Sequence, residues 1–158
     1  MIRIPQLPGD AGIVQTVALM RAYVNNAITF PLIRAQAVKA TALCGRWDLR
    51  CKALAIGEWV RNHVRYVPDP LQHEWLATPQ IMAQAVEEGR TVYGDCDDMS
   101  MYVAALAKSI GLQPTFQVVG RKDKFHHVYV TINSVPVDPT EQMGTQPFLA
   151  QRRIPVRV

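Results

Sequence analysis

Apolar positions follow two different rhythms along this chain, and the change comes near Pro114. Before it, hydrophobic residues recur every three or four positions, the period of amphipathic helices. Asp10 can cap a helix reaching about Asn25, with Ile13, Val17, Met20 and Val24 on one stripe. Pro31 suits the first turn of a second helix, "PLIRAQAVKATAL", which stops before Gly45. A third runs from about Asp48 to Val64, with Leu49, Ala53, Ile56, Trp59 and Val60 as its apolar face. The prolines of "YVPDPLQHEW" break the period and predict an extended loop. A short helix from Pro79 to Glu88 ends at Gly89. Another begins at Cys96, carries Met99, Val103, Leu106 and Ile110, and ends at Gly111. After Pro114 the spacing becomes two, giving strands over "TFQVVG" (115–120), "HHVYVTI" (126–132) and "VPVDP" (135–139). Helices followed by an antiparallel meander predict an α+β domain.

Composition narrows the class. With 158 residues, 49% hydrophobic and 19% charged, the chain suits a single domain with its own core. No run of about 18 apolar residues is present, so no membrane span and no membrane partner are expected. The opening "MIRIPQLPGDAG" lacks the apolar stretch of a signal peptide, which predicts a cytoplasmic protein. The net charge of +4 is spread out apart from "GRKDK" and "QRRIPVR". Such dispersed charge is ordinarily a solvated surface, so nucleic acid is not the expected partner. Three cysteines cannot all pair, and the spacing of Cys44 and Cys51 lacks the CxxC or HxxxH of a zinc site. In a reducing compartment these two read as small hydrophobes near helix ends.

Cys96 is different. In "YGDCDD" it follows Asp95, a good N-cap, and so becomes the first residue of its helix, where Asp98 can help complete the cap. Helix N–H groups there favour a thiolate and can hold an oxyanion. Asp95, Asp97 and Asp98 oppose ionisation, because negative neighbours raise a thiol pKa. The helix dipole contributes only about 1 kcal/mol, so a cationic partner is required. If Asn133 and Ser134 form a two-residue turn, Val130 faces Val137 and Thr131 faces Pro136. His127 and Asp138 then become diagonal neighbours on one face, and His126 points the other way. A thiol at a helix start, an imidazole and an orienting carboxylate form the logic of a Cys-His-Asp triad.

The blocks "YGDCDD", "HHVYV" and "VPVDPT" resemble, in order and spacing, the three catalytic blocks of the transglutaminase-like superfamily. The upstream "VRYVPDPLQHEWLATP" resembles the entry segment of small single-domain members encoded by tailed bacteriophages and prophages. The resemblance spans about Trp59 to Thr140. It implies a papain/transglutaminase-like domain with a helical part at 1–58, a catalytic core at 59–140 and a C-terminal extension at 141–158. It further implies Cys96 as nucleophile, His127 as base, Asp138 as the orienting acid, and no cofactor. The chemistry implied is thiol-based cleavage or transfer of an amide acyl group on a protein or peptide. Phage structural proteins are then possible partners, and the virion a possible destination.

For the oxyanion, the Cys96 backbone N–H is the first donor, with Tyr66 and then Trp59 as side-chain candidates, although both residues are also natural wall residues. His63 and His73 read as surface positions, while Asp69 and Glu74 read as loop charges able to line the cleft. A metal reading would use Cys96, His127, Asp95 or Asp138, but it lacks paired ligand spacing. A non-catalytic virion or adaptor protein retaining the same fold is the other alternative.

Overall fold

A computed structural model of the chain describes residues 2–4, 10–68, 74–121, 124–141 and 152–158. Three helices come first: α1 (Asp10–Ala27), α2 (Pro31–Ala40) and α3 (Leu49–His63). Pro31 opens α2 as expected, while Asp48 caps α3 by accepting from the Cys51 N–H. Helix α2 is shorter than its sequence pattern. Thr41 ends it, with its hydroxyl donating back to the Ala37 carbonyl at 2.9 Å. Along α3, Ala53, Ile56 and Val60 are fully buried and Trp59 is partly so. Leu49, expected on that face, is instead 41% exposed.

Two further helices are α4 (Pro79–Glu87) and α5 (Cys96–Ser109). The second is not amphipathic in the usual sense. Every residue from Asp98 to Ala107 is buried, because α1, α2, α3 and α4 pack around it on one side and the sheet closes the other. Gly111, at φ +84°, turns the chain out of this helix.

The main sheet is antiparallel, with order β7-β6-β5-β8 for β5 (Pro114–Arg121), β6 (Lys124–Ile132), β7 (Val135–Val137) and β8 (Arg152–Arg157). The molecule is therefore α+β. Residues 152–157, expected in an extension outside the catalytic core, form one edge of this sheet, paired to Thr115–Gly120 of β5. Pro155 sits there without penalty, since an edge strand need not donate on its outer side.

Short strands also occupy segments expected as helix or loop. They are β1 (Ile2–Ile4), β2 (Val64–Tyr66), β3 (Glu74–Leu76) and β4 (Val92–Gly94), paired β1 with β3 and, in parallel, β2 with β4. Each has three residues, too few for a period-two signal, and tertiary pairing holds them. No helix among the described residues is long and apolar enough to cross a membrane.

The cysteines depart most clearly from expectation. Cys44 and Cys51 are joined in a disulfide, Cα–Cα 5.7 Å, across the α2–α3 turn, and Cys96 is the free thiol. Cys44, in the turn after α2, and Cys51, in the first turn of α3, reach bonding distance because the chain between them is compact. Such bonds persist mainly in oxidising surroundings, so the reading of both as reduced small hydrophobes does not hold.

Candidate active site

Strand β4 delivers the chain to Cys96. Gly94 lies so close to α5 that an added Cβ would stand 2.9 Å from the Asp98 Cβ and 3.3 Å from the Met82 terminal methyl. Asp95 follows in extended conformation and accepts from the Asp97 and Asp98 N–H groups at 3.0 and 3.2 Å. This is the expected cap. Asp98 reaches beyond the cap: it is buried, and its carboxylate accepts from the Ala77 N–H at 2.7 Å. It thereby ties the first turn of α5 to the segment entering α4.

The Cys96 sulfur lies 3.5 Å from an Asp97 carboxylate oxygen and takes a hydrogen bond from the Val128 N–H. Burial, then Asp97, then Asp95 raise the thiol pKa well above its ordinary range, and the Val128 donor only partly offsets them. At neutral pH the resting sulfur is a thiol. One turn along α5, the Ser100 hydroxyl donates to the Val128 carbonyl at 3.1 Å. Helix α5 thus holds both backbone groups of the residue after His127. Strand β7 stops at Val137, opposite Val130. Continued by two residues, that register would set Pro139 against Val128, and proline has no N–H to offer.

The hairpin is the one the parity argument requires. Asn133 and Ser134 have φ of 48° and 69°, and Val130↔Val137, Thr131↔Pro136 and Ile132↔Val135 pair across the strands. His127 and Asp138 consequently meet, Nε2 to Oδ2 at 2.5 Å, with side chains 19% and 13% exposed. The other Asp138 oxygen accepts from the Thr140 N–H and hydroxyl at 3.1 and 2.7 Å. The His127 ring also lies against Tyr129, centroids 6.4 Å apart. The side chain of His126 lies outside what is described.

Tyr66, at the end of β2, is half-exposed and sits within the field of Cys96, Asp95, Asp97 and Asp138. Desolvation first, then those charges, keep its hydroxyl protonated. Trp59 is placed elsewhere: its ring stacks on His63 and lies under the Lys39 ammonium, and its buried indole N–H makes no hydrogen bond among the described residues. It is a wall residue. His63 is exposed, with Nδ1 at 2.7 Å from the Trp59 carbonyl. Asp69 and His73 lie outside the described residues, and Glu74 falls in β3 with its side chain outside them.

The ligand atoms of Asp95, Cys96 and Asp97 lie within 4.8 Å of one another, close enough to share a cation. The Asp95 oxygen nearest the helix already serves as its cap, so this cluster is first an element of helix structure.

Sequence reasoning missed Ser100, Thr140 and the Val128 backbone. Only Ser100 carried a signal, being the lone polar residue in the run from Met99 to Ala107. The chain matches no protein-family model, no curated protein and no solved structure.

Proposed function

We propose that this protein is a thiol enzyme of transglutaminase-like architecture that cleaves or transfers the acyl group of an amide, with Cys96 as nucleophile, His127 as general base and Asp138 orienting the imidazole. The observation that carries the reading is the His127–Asp138 pair at 2.5 Å, one residue from the Val128 N–H that engages the Cys96 sulfur. With Nε2 held by the carboxylate, Nδ1 is the nitrogen that serves the thiol.

Because the resting sulfur is protonated, proton removal accompanies attack. His127 accepts the Cys96 proton as the S–C bond forms, and the oxyanion gathers at the Cys96 N–H with Tyr66 as side-chain donor. The imidazolium then returns its proton to the departing nitrogen as the C–N bond breaks, leaving a thioester. Water releases a carboxylate from it, and a lysine amine releases a new amide. The substrate is a protein or peptide, and the resemblance of the sequence blocks points to virion proteins. The second reading, an adaptor that keeps the fold without turnover, makes the same structural use of α5 and the sheet.

An electrophilic amide analogue separates the two. Mass spectrometry of the intact protein should show one adduct, on Cys96, lost in Cys96→Ser and strongly slowed in His127→Ala but not in His126→Ala. No adduct on the wild type at any pH between about 6 and 9, where amide analogues and the protein are both handled readily and free thiols begin to ionise, would leave the adaptor reading standing.

A further inference from the structure

The turn joining α2 to α3 is built as a protruding, rigid knuckle with no part in the site just described. Leu43 is 102% exposed, Trp47 80% and Leu49 41%, so three large apolar side chains crowd into one short loop instead of being scattered. The loop has little freedom to hide them. The Cys44–Cys51 bond closes it, Cys44 N–H donates to Thr41, Asp48 N–H donates to Gly45, and the Lys52 ammonium donates to the Arg46 carbonyl.

Its charge is one-sided. Arg46, Arg50 and Lys52 fall in the same stretch as the apolar residues, with Arg46 over the Trp47 ring, and Asp48, the only acid between residues 39 and 52, serves as the α3 cap. The knuckle lies at the N-terminal end of α3, and Tyr66 follows its C-terminal end. A fifteen-residue helix puts about 22 Å between them.

We infer that this knuckle docks onto an acidic segment of a partner protein that offers apolar contacts to Leu43 and Trp47. A Trp with an Arg guanidinium 4.9 Å above its ring has the composition of a protein-interface anchor. Closure by a disulfide reduces the ordering that binding would otherwise require. The basic stretch selects an acidic rim and speeds encounter with it. A fully exposed leucine has no stacking or phosphate chemistry to offer a nucleic acid. Burying Trp47 in lipid would carry the Arg46 charge with it or break the stack.

The test is a display selection of random peptides against the intact protein, with counter-selection on Leu43→Ser/Trp47→Ala. Enriched peptides should carry aromatic or aliphatic residues flanked by Asp and Glu. Synthetic versions should lose at least tenfold in affinity to Trp47→Ala and to Arg46→Glu/Arg50→Glu, and several-fold after reduction of the disulfide. Labelling of Cys96 should be unchanged in all these variants, which separates loss of docking from loss of fold. Failure to recover a Trp47-dependent peptide would overturn the inference. So would Trp47-dependent peptides without acidic excess, or tighter Trp47-dependent binding to phosphatidylglycerol vesicles or to oligothymidine.

Discussion

Asp138 divides its two oxygens between two tasks: Oδ2 holds His127, and Oδ1 caps the turn at Thr140. One carboxylate therefore holds the imidazole and caps a turn at the same time. In Asp138→Asn the amide oxygen can keep the Thr140 bonds while its NH₂ faces Nε2 and reverses the imidazole tautomer. Melting temperature should stay within about 3 °C, roughly 1 kcal/mol or less for a chain of this size. Cys96 acylation should fall by one to three orders of magnitude, less than the roughly 10⁴-fold lost in a serine triad. A destabilised variant with full reactivity would remove Asp138 from the mechanism. At Cys96 the sign of the electrostatics gives a second test. Burial and then Asp97 hold the proton on sulfur, so Asp97→Asn should speed alkylation at pH 7 by roughly tenfold. The thiol's raised pKa also stabilises the fold below the unfolded thiol pKa of about 8.5, and that contribution is lost as pH rises above it. Melting temperature across the alkaline range should therefore fall more steeply for wild type than for Cys96→Ser. At this scale the sequence was informative, since cap, thiol, imidazole and carboxylate are each marked by residue type. Val128 was not legible, because it acts through its backbone, which any residue carries.

Elements that announce themselves locally were readable, and those that exist only by pairing were not. Pro31, Asp48 and Asp95 mark helix starts through side-chain chemistry, and Asn133–Ser134 fixes the hairpin register through turn geometry. Strands β2 and β4 carry no such mark, yet they place Tyr66 beside Gly94 and aim the chain into Cys96. Gly94 is where their packing against α5 can be tested. A methyl at this position meets the Asp98 Cβ at 2.9 Å and an Asp98 oxygen at 3.2 Å, and Asp98 is held by Ala77. Gly94→Ala must push the first turn of α5 or break the Asp98–Ala77 bond. It should cost about 1–3 kcal/mol in urea denaturation and slow Cys96 acylation as well. Gly111→Ala is the useful contrast. That glycine has open space but φ of +84°, so alanine there should strain the exit of α5 and leave Cys96 reactivity alone. Equal losses of reactivity in the two variants would mean that the close approach at Gly94 does not position the thiol.

In the whole molecule, α5 is an axle with helices on one side and the sheet on the other, and the site forms where its first turn meets the end of the β6–β7 ladder. The helical half and the meander were foreseeable from the change of period at Pro114. The closure of the sheet by β8 was not, because "RRIPVR" has three arginines and a proline and reads as a basic tail. Its side-chain pattern suits an edge strand, with Arg153 exposed, Val156 packed against the core opposite Phe116, and the proline tolerated where no partner follows. Two views of this segment give opposite outcomes when residues 152–158 are deleted. As an appendage its loss would leave melting temperature and labelling of Cys96 nearly unchanged. As a sheet edge its loss uncovers the β5 ladder from Thr115 to Gly120 and the apolar contact at Val156. That should cost about 3 kcal/mol, or about 6–12 °C in a chain of this size, and leave an open strand prone to self-association. The reactivity of Cys96 should decline with the fold and not before it, since β8 lies across β5 from the His127 strand. Thermal melts, light scattering and labelling on one preparation distinguish these cases. A monomeric, equally stable truncation would show that the sheet needs only three strands to hold the site.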